Sequence, residues 1–167
     1  MPTKQRRYAL KSKHAKHLLN EVTERLKVNI AAIFGSNANV EVVIAAFGKI
    51  YLVNGKPLFF KAGEALLPTL IFQEFTLEAP KIVVDMGAVP YVCNGADIMA
   101  PGIVRVEGEF GKGALVVVVD EKHGKPLAVG ESFYDSKIAR NTKQGAVVKN
   151  VHFVSDKFWN FSKALTD

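Results

Sequence analysis

The chain has 167 residues, of which 49% are hydrophobic, and a formal net charge of +6. This length allows one large domain or two small ones with a core that needs no disulfide or metal, and the single cysteine, Cys93, excludes an internal disulfide. The apolar runs are far shorter than the roughly 18 residues of a membrane span. Because the basic N-terminus lacks the apolar stretch of a signal peptide, we expect a cytoplasmic protein without a membrane partner.

The positive charge is concentrated at the N-terminus. Residues 1–16 contain six Lys and Arg and no acidic residue, whereas residues 17–167 carry 16 basic and 16 acidic side chains. A dense basic segment favours a polyanion, because each phosphate that it neutralises releases condensed counterions. A solvated tail that aids solubility explains the same composition equally well, and both interpretations stay open. A second group of cations without acidic neighbours lies in residues 136–155, namely Lys137, Arg140, Lys143 and Lys149.

The N-terminal half predicts a helix and then a hairpin. Apolar residues recur at three- and four-residue intervals after Ser12, which predicts an amphipathic helix of about 15 residues. Residues 29–39 are rich in turn formers and are expected to be a connection. Strands are predicted on both sides of Asn54-Gly55, at residues 49–53 and 57–61, because that dipeptide favours the positive φ angles of a two-residue hairpin.

Two further elements precede the expected domain boundary. Residues 40–46 have the composition of another strand. Pro68 is expected to open a helical stretch that ends before Pro80. We place the boundary at Pro80, because a new strand begins at residue 81 and the pattern then changes.

Short strands at close spacing dominate the second half. Strands are predicted at residues 81–84, 103–107, 114–120, 127–131, 146–149 and 151–154, with short helices at 85–94 and 137–142. The strand at 114–120 is almost wholly apolar, as expected for one buried on both faces. Together with the glycine-rich turns, this spacing favours a small barrel, whose open end we expect Trp159 and Phe161 to close.

The segment at residues 95–103, Gly-Ala-Asp-Ile-Met-Ala-Pro-Gly-Ile, follows a predicted short helix and leads into a strand. This arrangement resembles the signature of the PUA domain, and the match extends over residues 80–160. Upstream, residues 53–60 and 68–70 resemble the N-terminal domain of one PUA group, the malignant T-cell amplified sequence translation factors and their archaeal relatives. Residues 84–88 and 151–159 continue the likeness. Residues 28–39 look shorter than in the eukaryotic relatives, so a partner contact made there is in doubt.

The resemblance implies a fold, a function and a surface. The fold is α+β: a small N-terminal α/β domain, residues 1–79, followed by a C-terminal PUA-like β pseudobarrel with short helices, residues 80–167. The function is non-catalytic binding of structured RNA, tRNA or rRNA, in translation initiation, re-initiation or recycling at the small ribosomal subunit. In the resembled family the helix, the loop after it and the next strand form the RNA-facing surface with the last strand, which here carries His152.

The chemistry of the residues in this loop can also be interpreted without the resemblance. Gly95 and Gly102 lack a Cβ, so that backbone can approach a ligand closely. Asp97 is a good acceptor for a base amino group or a ribose 2′-hydroxyl, and Arg105 could contact a phosphate. The alternative is that the glycines only shape turns and Asp97 only caps one. The predicted RNA-binding residues are Gly95, Ala96, Asp97, Ile98, Met99, Gly102, Arg105, Lys112, Lys137, Arg140, Lys149 and His152.

Other chemistries find little support in the sequence. Residues 108–113 superficially resemble a phosphate loop, but the required Gly and the Ser or Thr are replaced by Val106 and Gly113. No histidine pairs with Cys93 in a zinc spacing, so we expect no metal and no cofactor. Asp85, Asp97 and Asp120 could act as acid and base, although such aspartates are more often turn residues. Two alternative functions remain: a module that docks a translation factor, with RNA contact secondary, and an RNA-modifying enzyme or its accessory.

Overall fold

The computed structural model describes residues 6–166, which form eleven β-strands and six α-helices in the predicted α+β arrangement. They divide into two compact units. One unit comprises the chain up to Phe75 together with the segment from Asn160 onwards, and the other is Thr76–Trp159. We expected domains 1–79 and 80–167. The division thus lies slightly earlier in the chain, and the C-terminal segment groups with the first unit.

The first unit is built on a five-stranded antiparallel sheet in which the strands pair in chain order. Its strands are β1 (Arg6–Ala9), β2 (Val40–Ala45), β3 (Gly48–Val53), β4 (Lys56–Ala62) and β5 (Ala65–Pro68). The helices are α1 (Ser12–Leu26) and α2 (Ile30–Phe34), and α3 (Gln73–Glu78) follows the sheet.

Local sequence explains two of these elements directly. Helix α1 buries the predicted stripe of Ala15, Leu18, Val22 and Leu26, as the 3.6-residue period requires. Strands β3 and β4 are joined by Asn54 and Gly55, whose φ angles are 50° and 83°. These positive values are those of the predicted two-residue hairpin turn, so the helix and the hairpin are both confirmed.

Three features of the first unit differ from the expectation. Part of the basic segment is not a tail, because residues 6–9 pair as β1 with β2; Lys4 lies outside the described residues. The connection after α1 contains α2, which the Asn29 side chain caps by accepting a hydrogen bond from the Ala32 N–H at 3.1 Å. Pro68 ends β5 instead of opening a helix, and α3 begins only at Gln73.

The second unit contains a six-stranded sheet in the order β7-β11-β10-β9-β6-β8, in which only β6 and β9 pair in parallel. Its strands are β6 (Lys81–Val84), β7 (Ile98–Met99), β8 (Ile103–Glu107), β9 (Leu115–Asp120), β10 (Pro126–Ser132) and β11 (Ala146–Phe153). The helices are α4 (Val89–Val92) and α5 (Ser136–Asn141), with a 3₁₀ turn at Ala100–Gly102. Every residue of β9 is buried, which confirms the prediction for that strand.

The C-terminal segment differs from the sequence prediction. Residues 146–154 were expected to form two strands, but β11 is continuous from Ala146 to Phe153. The chain then forms α6 (Lys157–Thr166). Phe161 does not close a barrel end: it meets Phe47 of the first unit edge-on, with ring centroids 5.6 Å apart. In residues 6–166 no helix is long and apolar enough to cross a membrane.

A buried histidine and an aspartate join the end of β11 to the start of α6. His152 is fully buried, and its Nδ1 lies 2.8 Å from Oδ2 of Asp156. Asp156 also accepts the backbone N–H groups of Phe153 and Trp159 at 2.9 and 2.7 Å. Burial alone would raise the pKa of Asp156, but the hydrogen bonds from His152 and from these two N–H groups hold the pKa below its ordinary value.

We therefore expect Asp156→Asn to lower the free energy of unfolding by about 1–2 kcal/mol near neutral pH, because an amide nitrogen cannot accept the hydrogen bonds that Oδ2 accepts. The folded state lowers the pKa of Asp156. Its contribution is thus complete above the ordinary carboxyl pKa and is lost as the pH falls through the lowered value. Urea unfolding across the acid range should show the difference from wild type shrinking as the pH falls.

Asp135→Asn is the matched control. Asp135 caps α5 by accepting the Ile138 N–H at 2.8 Å and has no buried imidazole beside it. An asparagine there keeps an oxygen acceptor for that bond, so the loss of stability should be smaller. Equal losses in the two variants would show that the His152 contact adds nothing beyond a helix cap.

Candidate nucleic-acid interface

The predicted loop borders a cleft of about 370 Å³ on the second unit. The cleft lies between α4 with its preceding turn and the segment that runs through β7 into the 3₁₀ turn. Five of the predicted site residues line it: Ala96, Asp97, Ile98, Met99 and Gly102. The other lining residues are Val84, Asp85, Gly87, Ala88, Tyr91, Val92 and Pro101. Most of this lining is apolar, and the two carboxylates are its charged members.

Asn150 on β11 holds the loop in place. Its side-chain Nδ2 donates to the carbonyl oxygens of Val92 and Ala96 at 3.0 and 3.1 Å. Its backbone N–H donates to Oδ1 of Asp97 at 3.0 Å. One carboxylate oxygen of Asp97 thus shapes the loop, as the turn interpretation predicted. Asp97 nevertheless remains exposed on the wall of the cleft.

The two glycines of the signature have structural reasons to be glycine. Gly95 has a φ of 91°, and a Cβ there would lie 3.0 Å from Cε1 of Phe153. A Cβ on Gly102 would lie 3.2 Å from that of Ala88 at the start of α4. A side chain at either position would therefore strain the backbone or separate the elements that form the cleft.

Two large side chains of the cleft are exposed. Tyr91 on α4 has 70% of its surface exposed, and Met99 on β7 has 49%. A flat aromatic ring beside an apolar cleft can stack on an unpaired base. The sequence did not single out Tyr91, because a tyrosine in a short predicted helix is as compatible with the core as with the surface.

A second groove, of about 390 Å³, adjoins the cleft. Pro101 lines both, so the cleft and the groove meet at the 3₁₀ turn. The groove runs between β8 and α5 and contains three cations: Arg105, Arg140 and Lys143. Its other lining residues are Ala100, Ile103, Val104, Val106, Ala139 and Thr142. The structure thus brings Arg105 together with two members of the cation group at residues 136–155.

The two arginines of the groove differ in how firmly they are held. Arg105 is exposed and pairs with Glu107, on its own strand, at 2.7 Å. Arg140 donates to the carbonyl oxygens of Val106 and Gly108 and pairs with Glu109 at 3.0 Å. A hydrogen bond from Ser136 and then the charge of Arg140 lower the pKa of Glu109. Arg140 therefore braces the end of β8, and Arg105 is the cation more available to a ligand.

The remaining predicted residues lie elsewhere. Lys112, Lys137 and Lys149 are exposed but line neither the cleft nor the groove. Gly95 lies against the ring of Phe153 and does not line the cleft. His152 is the clear correction: its side chain is fully buried against Asp156, so it cannot face an RNA. Alternation along β11 places His152 on the face opposite Val151 and Phe153, but the sequence did not show which of the two faces is buried.

The aspartates considered for acid-base chemistry all accept backbone hydrogen bonds. Asp85 accepts the Ala88 N–H at 2.8 Å, and Asp97 accepts that of Asn150. Asp120 accepts those of His123 and Lys125, and the first of these is the main cause of its lowered pKa. Within residues 6–166, no group of three or more His, Cys, Asp or Glu side chains is arranged to hold a metal ion.

Comparison with known families divides the chain much as the structure does. The PUA domain model matches residues 80–154. A second model, described as a domain of unknown function (DUF1947), matches residues 6–73. Together they cover most of the chain, and the matched PUA region contains both the cleft and the groove.

Similar proteins and a solved structure support the same assignment. An uncharacterized protein of Methanocaldococcus jannaschii is 37% identical over 93% of this chain and 96% of its own. Translation machinery-associated protein 20 of Saccharomyces cerevisiae is 31% identical over 68% of this chain and 67% of its own, and malignant T-cell-amplified sequence 1 of Rattus norvegicus is 29% identical over 67% and 65%. A crystal structure of a hypothetical protein from Pyrococcus horikoshii covers 94% of this chain and 99% of its own, with 32% identity and a TM-score of 0.78. The chain therefore belongs to the family of PUA-domain proteins that includes translation machinery-associated protein 20 and the malignant T-cell-amplified sequence proteins, and its second unit is the predicted PUA pseudobarrel.

Proposed function

We propose that this protein is a non-catalytic RNA-binding protein of the translation machinery. The observation that carries the proposal is the meeting of the cleft and the basic groove at Pro101. One feature offers an apolar wall with an exposed aromatic ring, and the other offers cations. A surface that binds an RNA strand needs an aromatic wall and cations next to each other, because the bases of RNA stack and its phosphates carry the charge.

In the proposed complex an unpaired base enters the cleft against Tyr91 and Met99. The carboxylates of Asp85 and Asp97 accept hydrogen bonds from its polar edge or from a ribose 2′-hydroxyl. The neighbouring phosphates run along the groove past Arg105 and Lys143. Lys112, Lys137 and Lys149 supply outlying contacts to a folded RNA, Arg140 holds the wall of the groove, and Gly95 contributes by holding the loop.

Charge alone does not explain the proposed binding. Residues 80–167 contain 11 basic and 10 acidic side chains, so this part of the chain is nearly neutral. Phosphate contacts position a nucleic acid, whereas shape and base contacts select it. The proposal therefore assigns selection to the cleft and orientation to the groove.

The names of the relatives support a role in translation. More finely, we propose that the RNA is tRNA or rRNA, and that the protein acts at the small ribosomal subunit during initiation, re-initiation or recycling, with a translation factor as a possible partner. A structured RNA with an unpaired end or loop supplies both the base and the phosphates that this surface would hold.

The groove is tested by Arg105→Glu. We expect the variant to bind unfractionated tRNA about tenfold more weakly than wild type, and the slope of log affinity against log salt to fall by about one, because one phosphate contact is lost. Fluorescence anisotropy over a range of salt concentrations measures both quantities.

Lys122→Glu is the control for net charge. Lys122 is exposed in the turn between β9 and β10 and lines neither the cleft nor the groove. Lys122→Glu should weaken RNA binding much less than Arg105→Glu does. If the two variants behave alike, RNA responds only to net charge and the groove is not a phosphate site.

The cleft is tested by Tyr91→Ala. Loss of one stacked base should weaken RNA binding about tenfold or more, while the salt slope stays unchanged because no charge is removed. Tyr91→Phe keeps the ring and should bind nearly as wild type does. Since the Tyr91 side chain is largely exposed, the free energy of unfolding should change by less than about 0.5 kcal/mol in either variant.

Leu77→Ala removes a side chain that is 76% exposed and lies outside the cleft. RNA affinity should not change in this control. If Tyr91→Ala also leaves affinity unchanged, no base stacks at the cleft and the proposed surface is misplaced.

A further inference from the structure

Five exposed residues around the start of α1, three lysines and two histidines, form a surface that we call the α1 basic face. They are Lys11, Lys13, His14, Lys16 and His17. The opposite side of the helix is buried through Ala15, Leu18 and Val22, which fixes the direction in which the five side chains project. No acidic residue occurs between residues 6 and 20, so the surface has no negative neighbour along the chain.

These side chains are also unpaired within the part of the chain that the structure describes. Four cations elsewhere in the described residues, Arg7, Lys61, Arg105 and Arg140, have an acidic partner. Arg7 pairs with Glu41 at 2.8 Å, Lys61 with Glu21 at 3.3 Å, and Arg105 with Glu107 at 2.7 Å. None of the five residues of the α1 basic face makes a salt bridge or a side-chain hydrogen bond to residues 6–166. The described part of the first unit therefore leaves the charges of Lys11, Lys13 and Lys16 free for an external anion.

The position of these cations is unfavourable for the isolated helix. The N-terminal end of a helix carries a partial positive charge, and acidic residues in the first turn normally complement it. Helix α1 has no acidic residue in its first turn, and Lys11 at the N-cap makes no side-chain capping hydrogen bond. The chain thus keeps an electrostatic arrangement that a bound polyanion would relieve.

A groove with both polar and apolar walls runs alongside the α1 basic face. It has a volume of about 460 Å³ and lies between α1 and the segment from α2 to Ala38. Ser12, Asn20, Thr23, Ser36 and Asn37 contribute hydroxyl and amide groups to its walls, and Lys16 belongs to both the groove and the basic face. Such groups are common partners of phosphate and sugar oxygens.

We propose that the α1 basic face is a second RNA-binding surface, which holds the sugar-phosphate backbone without regard to base sequence. The inference rests on the proposed RNA-binding function and extends it to the first unit. Protein partners dock through buried aromatic, arginine or aliphatic anchors, and the five residues of this face supply none. Lysine ammonium groups act as point charges for phosphates. RNA is therefore the occupant that the surface suits.

The test is Lys13→Glu/Lys16→Glu in the full chain, with unfractionated tRNA and a poly(U) oligonucleotide as probes. We expect affinity for both RNAs to fall about tenfold or more, and the salt slope to decrease by about 1.4–1.8, because two phosphate contacts are lost. The thermal midpoint of the free protein should rise by about 1–2 °C, because both substitutions place a negative charge near the start of the helix.

The matched control is Lys49→Glu/Lys56→Glu. Both lysines are exposed on β3 and β4 of the same unit, so the net charge changes equally. Equal losses of affinity in the two double variants would overturn the proposal. Lys13→Gln/Lys16→Gln is a milder variant that controls for misfolding, because it removes the two charges without reversing them. The decrease in log affinity should be about half of that for Lys13→Glu/Lys16→Glu. Unchanged affinity in this variant would also overturn the proposal.

The outcomes separate this proposal from the proposed function. If Arg105→Glu and Tyr91→Ala weaken binding while the Lys13 and Lys16 variants do not, the second surface is refuted and the function stands. If wild type binds neither RNA, both fail. If wild type binds vesicles of anionic lipid more tightly than either RNA, and the double variant loses only the vesicles, the surface belongs to a membrane and the proposal is wrong.

Discussion

The candidate site depends on one asparagine. Asn150 stands in β11, inside the sheet, yet its side chain reaches the carbonyl oxygens of Val92 and Ala96, and its backbone N–H reaches Asp97. Through these three hydrogen bonds a regular strand determines the path of an irregular loop. Oδ1 of Asn150 is buried and has no partner in residues 6–166.

The fold separates two properties that RNA recognition combines. Shape resides in the second unit, where α4, the loop after it and the 3₁₀ turn surround an apolar cleft. Most of the net charge resides in the first unit, on β1 and the beginning of α1. Bulk charge draws a polyanion from a distance and is screened by salt, whereas the cleft acts only at contact. In the proposed function, the two kinds of surface therefore contribute to different properties: attraction and selection.

Cations in this protein have two distinct environments. Arg140 is held by two carbonyl oxygens and by Glu109, so it covers the end of an edge strand that would otherwise present unpaired backbone groups. The lysines of the α1 basic face have no comparable contact with residues 6–166 and stand where a helix favours acids. A list of basic residues does not distinguish these environments, because both are Lys or Arg in segments poor in acidic residues.

The sequence alone determined the elements whose causes are local. The period of α1, the Asn54-Gly55 turn and the wholly apolar β9 follow from backbone preferences and from the spacing of apolar residues. The loop at residues 95–102 was identified by its resemblance to the PUA signature. Tertiary structure decided what depends on distant partners. Residues 6–9 are a strand because they pair with β2, His152 is buried against Asp156, and Phe161 meets Phe47 rather than closing the barrel. The same holds for the site: the loop was predictable, whereas the exposure of Tyr91 and the proximity of Arg105 to Lys143 were not. Exposure and proximity are set by long-range packing, which no local pattern of residues encodes.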